Sequence, residues 1–232
     1  MSRVRSFVRY QLWDFRKAVL IYYAAIIAIA LFMIAGRGDS TGQSGLSGST
    51  IVFVFVIGLN CFRTSFLFSQ ANNMSRRTFF LATIASLLGL AVIMSLVDFM
   101  IDSVMNNFPF YQGFFDQIYL APGLAKILWT ILLLTFVSSL GWMVTMLYYR
   151  ANTLVKVLIS VSPIVIITIL GYLHQRTAGR LGYWIVSLFG KALGLSVETS
   201  TPYPAMLSFA LASVLVWAIN YLLMFKTPVR PY

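Results

Sequence analysis

Six long apolar segments constrain this chain of 232 residues more than any other feature. A helix needs about 20 mostly apolar residues to cross the hydrocarbon core of a bilayer. The six segments approach that length, and their apolar residues are continuous, whereas a transmembrane β-barrel would show alternation. They cover approximately residues 18–35, 51–69, 78–97, 126–148, 157–173 and 205–225. The sequence therefore predicts an all-α integral membrane protein with six transmembrane helices, folded as a single transmembrane domain over 1–232.

The distribution of charge predicts which side of the membrane each loop occupies. The composition is 59% hydrophobic and 10% charged, with a formal net charge of +11, which in a soluble protein would favour nucleic-acid binding. Here eleven basic residues and one acid fall in segments 1–17, 70–77, 149–156 and 226–232, whereas the segments on the other side hold five of each. The positive-inside rule then places both termini in the cytoplasm. We therefore expect a plasma-membrane protein that contacts membrane lipid and no nucleic acid.

The first seventeen residues mix basic and aromatic side chains. Their apolar members approximate one helical face, formed by Val4, Phe7, Val8, Leu12 and Phe15. This pattern is typical of an amphipathic helix lying in the membrane interface, so we expect a cytoplasmic interfacial helix over 1–17. The alternative is a solvated basic leader.

A second short helix is predicted between spans five and six. Its apolar residues recur at helical spacing, and they are Leu181, Trp184, Ile185, Leu188 and Phe189. A helix of about 12–15 residues is too short to cross a bilayer. We therefore expect an outer re-entrant or interfacial helix, closed by Gly194.

The outer segment that begins at Asp98 and ends at Gly123 is rich in aromatic residues, which indicates an interfacial belt. A substrate exit site is the alternative. Asp98 and Asp102 are four residues apart, so they would share one helical face. They could bind a cation, but helix capping or exposure to solvent is the simpler expectation. In the fifth span, Pro163 is expected to produce a kink.

Polar residues inside a predicted span are the default functional candidates in a membrane protein. Arg63 lies about 9 Å along the axis from the inner end of the second span, and Asn60 lies one turn earlier. Arg63 would line a cavity or pair with a carboxylate, or it would extend its guanidinium to the inner headgroups. One cysteine and one histidine exclude a Cys/His zinc cluster, and the sequence contains no recognisable catalytic or metal-binding constellation.

Two features together resemble the ABC-2 type transporter permeases. The first is the layout, with six spans, a cytoplasmic amphipathic N-terminal helix and an outer re-entrant segment between spans five and six. The second is the loop between spans two and three, which reads FLFSQANNMSRRTFF over 66–80. Small bacterial members have a Gln-Asn-Gly stretch there, followed by Ser-Arg-Lys/Arg and aromatic residues. In this chain Asn73 and Met74 replace the family's Asn-Gly-apolar part.

The resemblance implies the membrane subunit of a bacterial ATP-driven exporter that works by alternating access. Such a permease binds no cofactor itself, and this sequence contains no Gly-Lys-Ser/Thr P-loop. ATP and Mg would be held by a separate ABC ATP-binding subunit, and a second permease subunit, identical or related, would complete the complex. The coupling loop that docks on the ATPase would comprise Gln70, Asn72, Asn73, Met74, Ser75, Arg76 and Arg77.

Several alternatives stay open at this point. Arg76 and Arg77 would meet acidic groups of the ATPase, or they would serve only as positive-inside anchors. The apolar and aromatic spans would suit a lipid or an amphipathic peptide as substrate. A secondary transporter or channel acting alone would require inverted repeats and charged residues at the midplane. A membrane-embedded enzyme or a non-transporting scaffold is the third class.

Overall fold

The computed structural model describes residues 2–36, 45–121, 123–177, 180–195 and 200–225. These parts of the chain form eight helices. They are α1 (Ser2–Gly36), α2 (Ser47–Asn60), α3 (Arg63–Ala71), α4 (Arg76–Met105), α5 (Gly123–Arg150), α6 (Thr153–Arg176), α7 (Arg180–Ala192) and α8 (Tyr203–Phe225).

Most of these helices have the length and composition of membrane spans. Within the described residues, five helical stretches qualify: Val4–Gly36, Ser47–Ala71, Arg76–Met105, Gly123–Arg150 and Tyr203–Phe225. The two halves of α6 together would supply a sixth. The prediction of a helical chain is confirmed, and five or six of its helices are long and apolar enough to cross a membrane.

Helix α5 occupies the centre of the bundle, where it packs against α2, α4 and α8, while α1 packs against α4. Successive long helices run in opposite directions. One end of the bundle, here called the basic end, holds the start of α1, the α3–α4 and α5–α6 turns and the end of α8. The opposite end, here called the acidic end, holds the loop between α4 and α5. Ring contacts fix this arrangement, since Phe7 lies 5.6 Å from Phe79 and Phe62 lies 5.6 Å from Tyr149.

The N-terminal segment differs from the expected interfacial helix. Residues 2–36 form one continuous helix, about 52 Å long. The expected apolar face exists, because Phe7 and Phe15 are buried. However, the Tyr10 ring stacks 4.6 Å from Phe68, and Phe7 contacts Phe79. The prediction of a separate helix lying flat in the interface is therefore wrong, because α3 and α4 cover the face that would have met lipid.

Spans two and three also depart from their predicted ends. The second span is interrupted at Cys61 and Phe62, which separate α2 from α3. The third span, predicted to end at residue 97, continues as α4 to Met105. This extension places Asp98 and Asp102 inside a helix.

The last third of the chain agrees with two local predictions. The halves of α6, Thr153–Ser162 and Ile167–Arg176, are inclined by 45° around the position of Pro163. Helix α7 has 13 residues and ends at Ala192. Gly194 then adopts a φ of +66°, and the Leu195 N–H donates to the Gly190 carbonyl at 2.7 Å. This is the Schellman ending that only a glycine-like conformation allows, so the predicted role of Gly194 is confirmed.

Within the described residues, nothing buries most of the apolar stripe of α7. Trp184, Leu188 and Phe189 are exposed and Ile185 is half-buried, while the side chain of Leu181 lies outside the described set. An exposed apolar stripe fits a helix in contact with lipid.

Candidate functional site

The predicted coupling loop is a tight turn between α3 and α4 at the basic end. Helix α3 ends with the Asn72 N–H donating to the Phe68 carbonyl at 3.2 Å and the Met74 N–H donating to the Ser69 carbonyl at 2.9 Å. Asn73 adopts a positive φ of 51°. Asparagine tolerates this left-handed conformation better than other side-chain-bearing residues, so Asn73 supplies the turn for which a glycine is otherwise used.

Ser75 begins the next helix directly. Its hydroxyl oxygen accepts from the Thr78 N–H at 3.2 Å, and its hydroxyl also contacts the Thr78 hydroxyl at 2.7 Å. Ser75 is therefore the N-cap of α4. The Gln70 side chain closes the turn from the other side by donating to the Met74 carbonyl at 3.4 Å. The C-terminal ending of α3 and the N-cap of α4 thus follow each other directly, and this fixes the turn relative to both helices.

The side chains of the loop divide into outward and inward groups. Asn72, Asn73, Ser75 and Arg77 are exposed, while Gln70, Met74 and Arg76 are half-buried. The outward group forms a small polar surface at the tip of two helices. That surface is the part of the predicted docking segment available to a partner.

Arg76 has an intramolecular role. Its Nη1 donates to the carbonyls of Met224 at 2.9 Å and Phe225 at 2.7 Å. Arg150 donates to the Leu223 carbonyl at 3.3 Å. Cations are favourable at a helix C-terminus, where carbonyl groups lack helical partners. Arg76 and Arg150 therefore hold the end of α8 against α4 and α5. Of the two neighbouring arginines of the loop, Arg77 is the one that points outward.

The two polar residues predicted inside span two lie at its interruption. Asn60 is the last residue of α2, and its amide donates to the Val56 carbonyl of its own helix at 2.8 Å. Arg63 is the first residue of α3. Both side chains are exposed at the bundle surface. An exposed Arg63 agrees better with extension toward headgroups than with a buried carboxylate pair.

A second candidate site, at the acidic end, is a buried cluster of charged residues. Asp102 of α4 and Lys126 of α5 are 2% and 7% exposed, and their charged groups are 2.9 Å apart. The same ammonium contacts Asp116 of the α4–α5 loop at 2.6 Å. The Asn106 amide donates to Asp116 at 2.8 Å. Lys126 therefore joins two helices and the loop through charge-assisted hydrogen bonds.

Hydroxyl groups complete the surroundings of Asp102. The Ser47 hydroxyl donates to its Oδ1 at 3.0 Å, and the Tyr111 hydroxyl donates to the same oxygen. Burial first, and then Asp102, raises the pKa of Tyr111 above its ordinary value. The Tyr111 phenol consequently stays protonated and keeps its role as donor near neutral pH.

Asp98 lies one helical turn before Asp102 and is 7% exposed. Its Oδ1 accepts from the Tyr23 hydroxyl at 2.9 Å, whereas its Oδ2 has no hydrogen-bond partner among the described residues. Both aspartates are thus buried in a helix interior. The expectation that they cap a helix or face solvent is wrong, because α4 extends two turns beyond its predicted end and α1 and α5 cover it.

The aromatic residues of the α4–α5 loop also differ from expectation. Four of them are buried against the helix ends: Phe110, Tyr111, Phe115 and Tyr119. Phe115 and Tyr119 pack on the Trp129 ring at 5.4 and 6.0 Å. An interfacial belt is therefore wrong for these four residues, since they form a plug over the charged cluster.

Polar residues in the middle of the bundle escaped the sequence analysis. Trp217 donates to the Ser139 hydroxyl at 2.8 Å, and the Asn220 amide donates to the Ser139 carbonyl at 3.3 Å. These residues join α5 to α8 in the core. Serine and asparagine carry no charge, so their positions in an apolar span do not mark which of them meet across a helix pair.

Comparison of this chain with family models, with curated proteins and with solved structures found no match.

Proposed function

We propose that this chain is the membrane permease subunit of an ATP-driven ABC exporter, with separate ABC ATP-binding subunits and a second permease subunit, identical or related. The observation that carries the proposal is the doubly capped α3–α4 turn at the basic end. It presents Asn72, Asn73 and Arg77 to a partner. The turn connects directly to α4, a helix of 30 residues.

A turn of this kind can transmit a mechanical push. The Schellman ending at Asn73 and the Ser75 cap leave few freely rotating bonds between α3 and α4. Helix α4 extends about 45 Å from this turn to the acidic end. Movement of the turn by a nucleotide-binding partner would therefore displace α4 as a rigid element, as shear and rocking motions require.

In this proposal, ATP is hydrolysed by a partner subunit. The sequence has no Gly-Lys-Ser/Thr motif that would cradle ATP phosphates. ATP and Mg are therefore assigned to the separate ATP-binding subunit, and no catalytic role is assigned to this chain.

The orientation proposed is basic end in the cytoplasm of a bacterial plasma membrane. The exposed cations of this end include Arg5, Arg9, Arg77 and Lys156, as the positive-inside rule favours. With this orientation both termini are cytoplasmic, α7 lies in the outer interface as a re-entrant or interfacial helix, and the charged cluster lies near the outer boundary.

A lipid or an amphipathic peptide is the proposed cargo. A groove of about 530 Å³ runs between α4 and α8, bordered by Arg77 and lined by aromatic and aliphatic residues such as Phe80 and Trp217. An amphipathic molecule could place an anionic group at Arg77 and its apolar part in the groove.

The position of the charged cluster distinguishes the permease from its main alternative, a secondary transporter acting alone. Such transporters hold coupling ions near the midplane, at broken helices. Asp98 lies about 33 Å from Arg76 along α4, near the end of that helix. Its position near one membrane boundary favours the permease over the secondary transporter.

Site-specific photo-cross-linking in native membranes tests the permease proposal. A photoreactive amino acid at Asn73 should cross-link a protein that carries a P-loop and binds ATP, identified by mass spectrometry and by nucleotide photolabelling. The control position is Leu120, which is 97% exposed at the acidic end and should give no such product. Efficient labelling at Asn73 without any ATP-binding protein, or equal capture from Leu120, would contradict the proposal.

A further inference from the structure

Asp98 lacks a cation of its own in the part of the chain that the structure describes. Lys126 is engaged by Asp102 at 2.9 Å and by Asp116 at 2.6 Å. Asp102 and Asp116 therefore share this ammonium, and Asp98 makes no ion pair with it within the described residues. Within the described residues, Asp98 Oδ1 accepts a hydrogen bond from Tyr23 at 2.9 Å, and Oδ2 has no hydrogen-bond partner. An ionised carboxylate in a buried site is strongly unfavourable unless it is paired and fully hydrogen-bonded.

A small cavity adjoins this carboxylate. It measures about 20 Å³ and is lined by Asp98, Ser47, Thr130 and Trp129 among others. That volume accommodates one occupant the size of a water molecule. Two polar atoms of its lining residues, Asp98 Oδ2 and Trp129 Nε1, have no hydrogen-bond partner within the described ranges. An unpaired buried carboxylate oxygen beside an enclosed space indicates a missing partner rather than a packing defect.

We propose that this cavity is a binding site for one small monovalent cation, which is held at Oδ2 of Asp98. The cation is either a proton or an alkali ion. A single positive charge would bring the cluster closer to neutrality. A divalent ion is disfavoured, because the described His, Cys, Asp and Glu residues form no group of three that could hold a metal. The site does not depend on the proposed permease function.

The groups that face Asp98 determine how such a cation is held. From α1 they are Tyr22 and Tyr23, from α2 Thr50, from α4 Asp102 and from α5 Lys126. Tyr111 and Asp116 of the α4–α5 loop contact Asp102 and Lys126 instead. Lys126 lines the cavity, and the Asp116 side chain that it contacts is 28% exposed. Because the cavity lining comes from α2, α4 and α5, and Tyr23 adds α1, an occupant stabilises the packed arrangement of four helices.

The experiment measures the thermal unfolding of the purified full chain by intrinsic tryptophan fluorescence. One series compares sodium, potassium and lithium chloride with N-methyl-D-glucamine chloride at constant ionic strength. The other varies pH from acidic to alkaline in N-methyl-D-glucamine buffer. Each is run on the wild type, on Asp98→Asn, and on Asp14→Asn, whose parent acid is exposed on α1 and controls for general charge effects.

Two results support the proposal and identify the cation. If an alkali ion binds, it raises the melting temperature by about 5–10 °C at a hundredfold excess over its dissociation constant, and Asp98→Asn abolishes the increase. If a proton binds, alkali ions have no effect. Wild-type stability then falls as pH rises, because the folded state holds a proton that the unfolded state releases, and the Asp98→Asn profile is flat over the same range.

Insensitivity of the wild type to both variables would overturn the site, as would an Asp98→Asn protein that keeps the wild-type dependence. Infrared difference spectroscopy of the wild type gives a second readout should Asp98→Asn fail to fold. A protonated carboxylic acid band that disappears at high pH, or a carboxylate band that shifts on adding sodium, is expected. The absence of both changes would equally refute the site, whatever the cross-linking at Asn73 shows.

Discussion

Gly58 of α2 and Gly141 of α5 face each other where the two helices cross, and neither position has room for a β-carbon. A methyl group at Gly58 would lie 2.2 Å from the Ser138 carbonyl oxygen, and one at Gly141 would lie 2.4 Å from the Phe55 carbonyl oxygen. The backbones can therefore approach closely, as small residues allow in membrane helix pairs. The Thr145 hydroxyl uses this proximity to donate to the Leu59 carbonyl.

Replacement of Gly58 by alanine is expected to destabilise the bundle. The obstructing atoms are backbone, so the helices must separate, and overpacking of this kind costs about 1–3 kcal/mol. Unfolding can be followed with a thiol-reactive fluorophore, because Cys61 is the single cysteine of the chain and is buried. Gly171→Ala is the matched control, since a methyl group there meets nothing within 4 Å. Equal stability of the two variants would refute the close crossing.

Substitutions of the neighbouring residues Arg76 and Arg77 are expected to have different effects. The substitution of Arg76 lowers the stability of the bundle, and that of Arg77 prevents binding of the partner. Arg76→Ala removes two hydrogen bonds to terminal carbonyls of α8 and should cost about 1–3 kcal/mol in the same thiol assay. Arg77→Glu should leave stability within about 0.5 kcal/mol, as for most surface substitutions, and should abolish cross-linking from Asn73 to the ATP-binding subunit.

The control for Arg77→Glu is Lys156→Glu, because Lys156 is also exposed at the basic end but lies on α6. If both charge reversals reduce cross-linking equally, the effect comes from the general potential of this end and not from docking at the turn. If neither charge reversal reduces cross-linking, Arg77 serves only as a positive-inside anchor.

The elements that local sequence determines were predictable, and the charged cluster was not. Apolar runs located the spans, and the ending at Gly194 followed from the place of this glycine after the apolar stripe of α7. The cluster required knowledge of which helices meet. Asp98 and Asp102 stand four apart in sequence, but Lys126 belongs to another helix, and its distance of 2.9 Å from Asp102 arises from packing of α4 against α5.

The same limitation explains the error at the N-terminus. The periodicity of Phe7 and Phe15 identified an apolar face correctly. Periodicity does not distinguish lipid from protein as the surface that covers such a face. Only the contacts with Phe68 and Phe79 assign it to the bundle.

Asn73 is expected to control the rigidity of the α3–α4 turn. Asn73→Val places a β-branched residue at a φ of +51° and should destabilise the turn by about 1–2 kcal/mol. Asn73→Gly should be tolerated, since glycine adopts this conformation without steric cost. Hydrogen exchange of the amides of Asn72 to Thr78, measured by mass spectrometry, should accelerate in the valine variant only. Comparable exchange in both variants would show that the turn does not need the left-handed residue.

Among the residues of the acidic end, Lys126 is expected to contribute most to the stability of the bundle. Lys126→Met leaves Asp102 and Asp116 without their shared cation, and removing one member of a buried ion pair costs about 3–5 kcal/mol. Most of that cost is the unpaired charge left on Asp102, which is 2% exposed, so Asp102→Asn in the same chain should restore a large part of the stability. A double-mutant cycle in the thiol assay gives the coupling energy. The matched cycle with Asp116→Asn should show weaker coupling, since its side chain is 28% exposed and water can solvate it. Simple additivity of Lys126→Met and Asp102→Asn would mean that the ion pair does not hold α4 to α5.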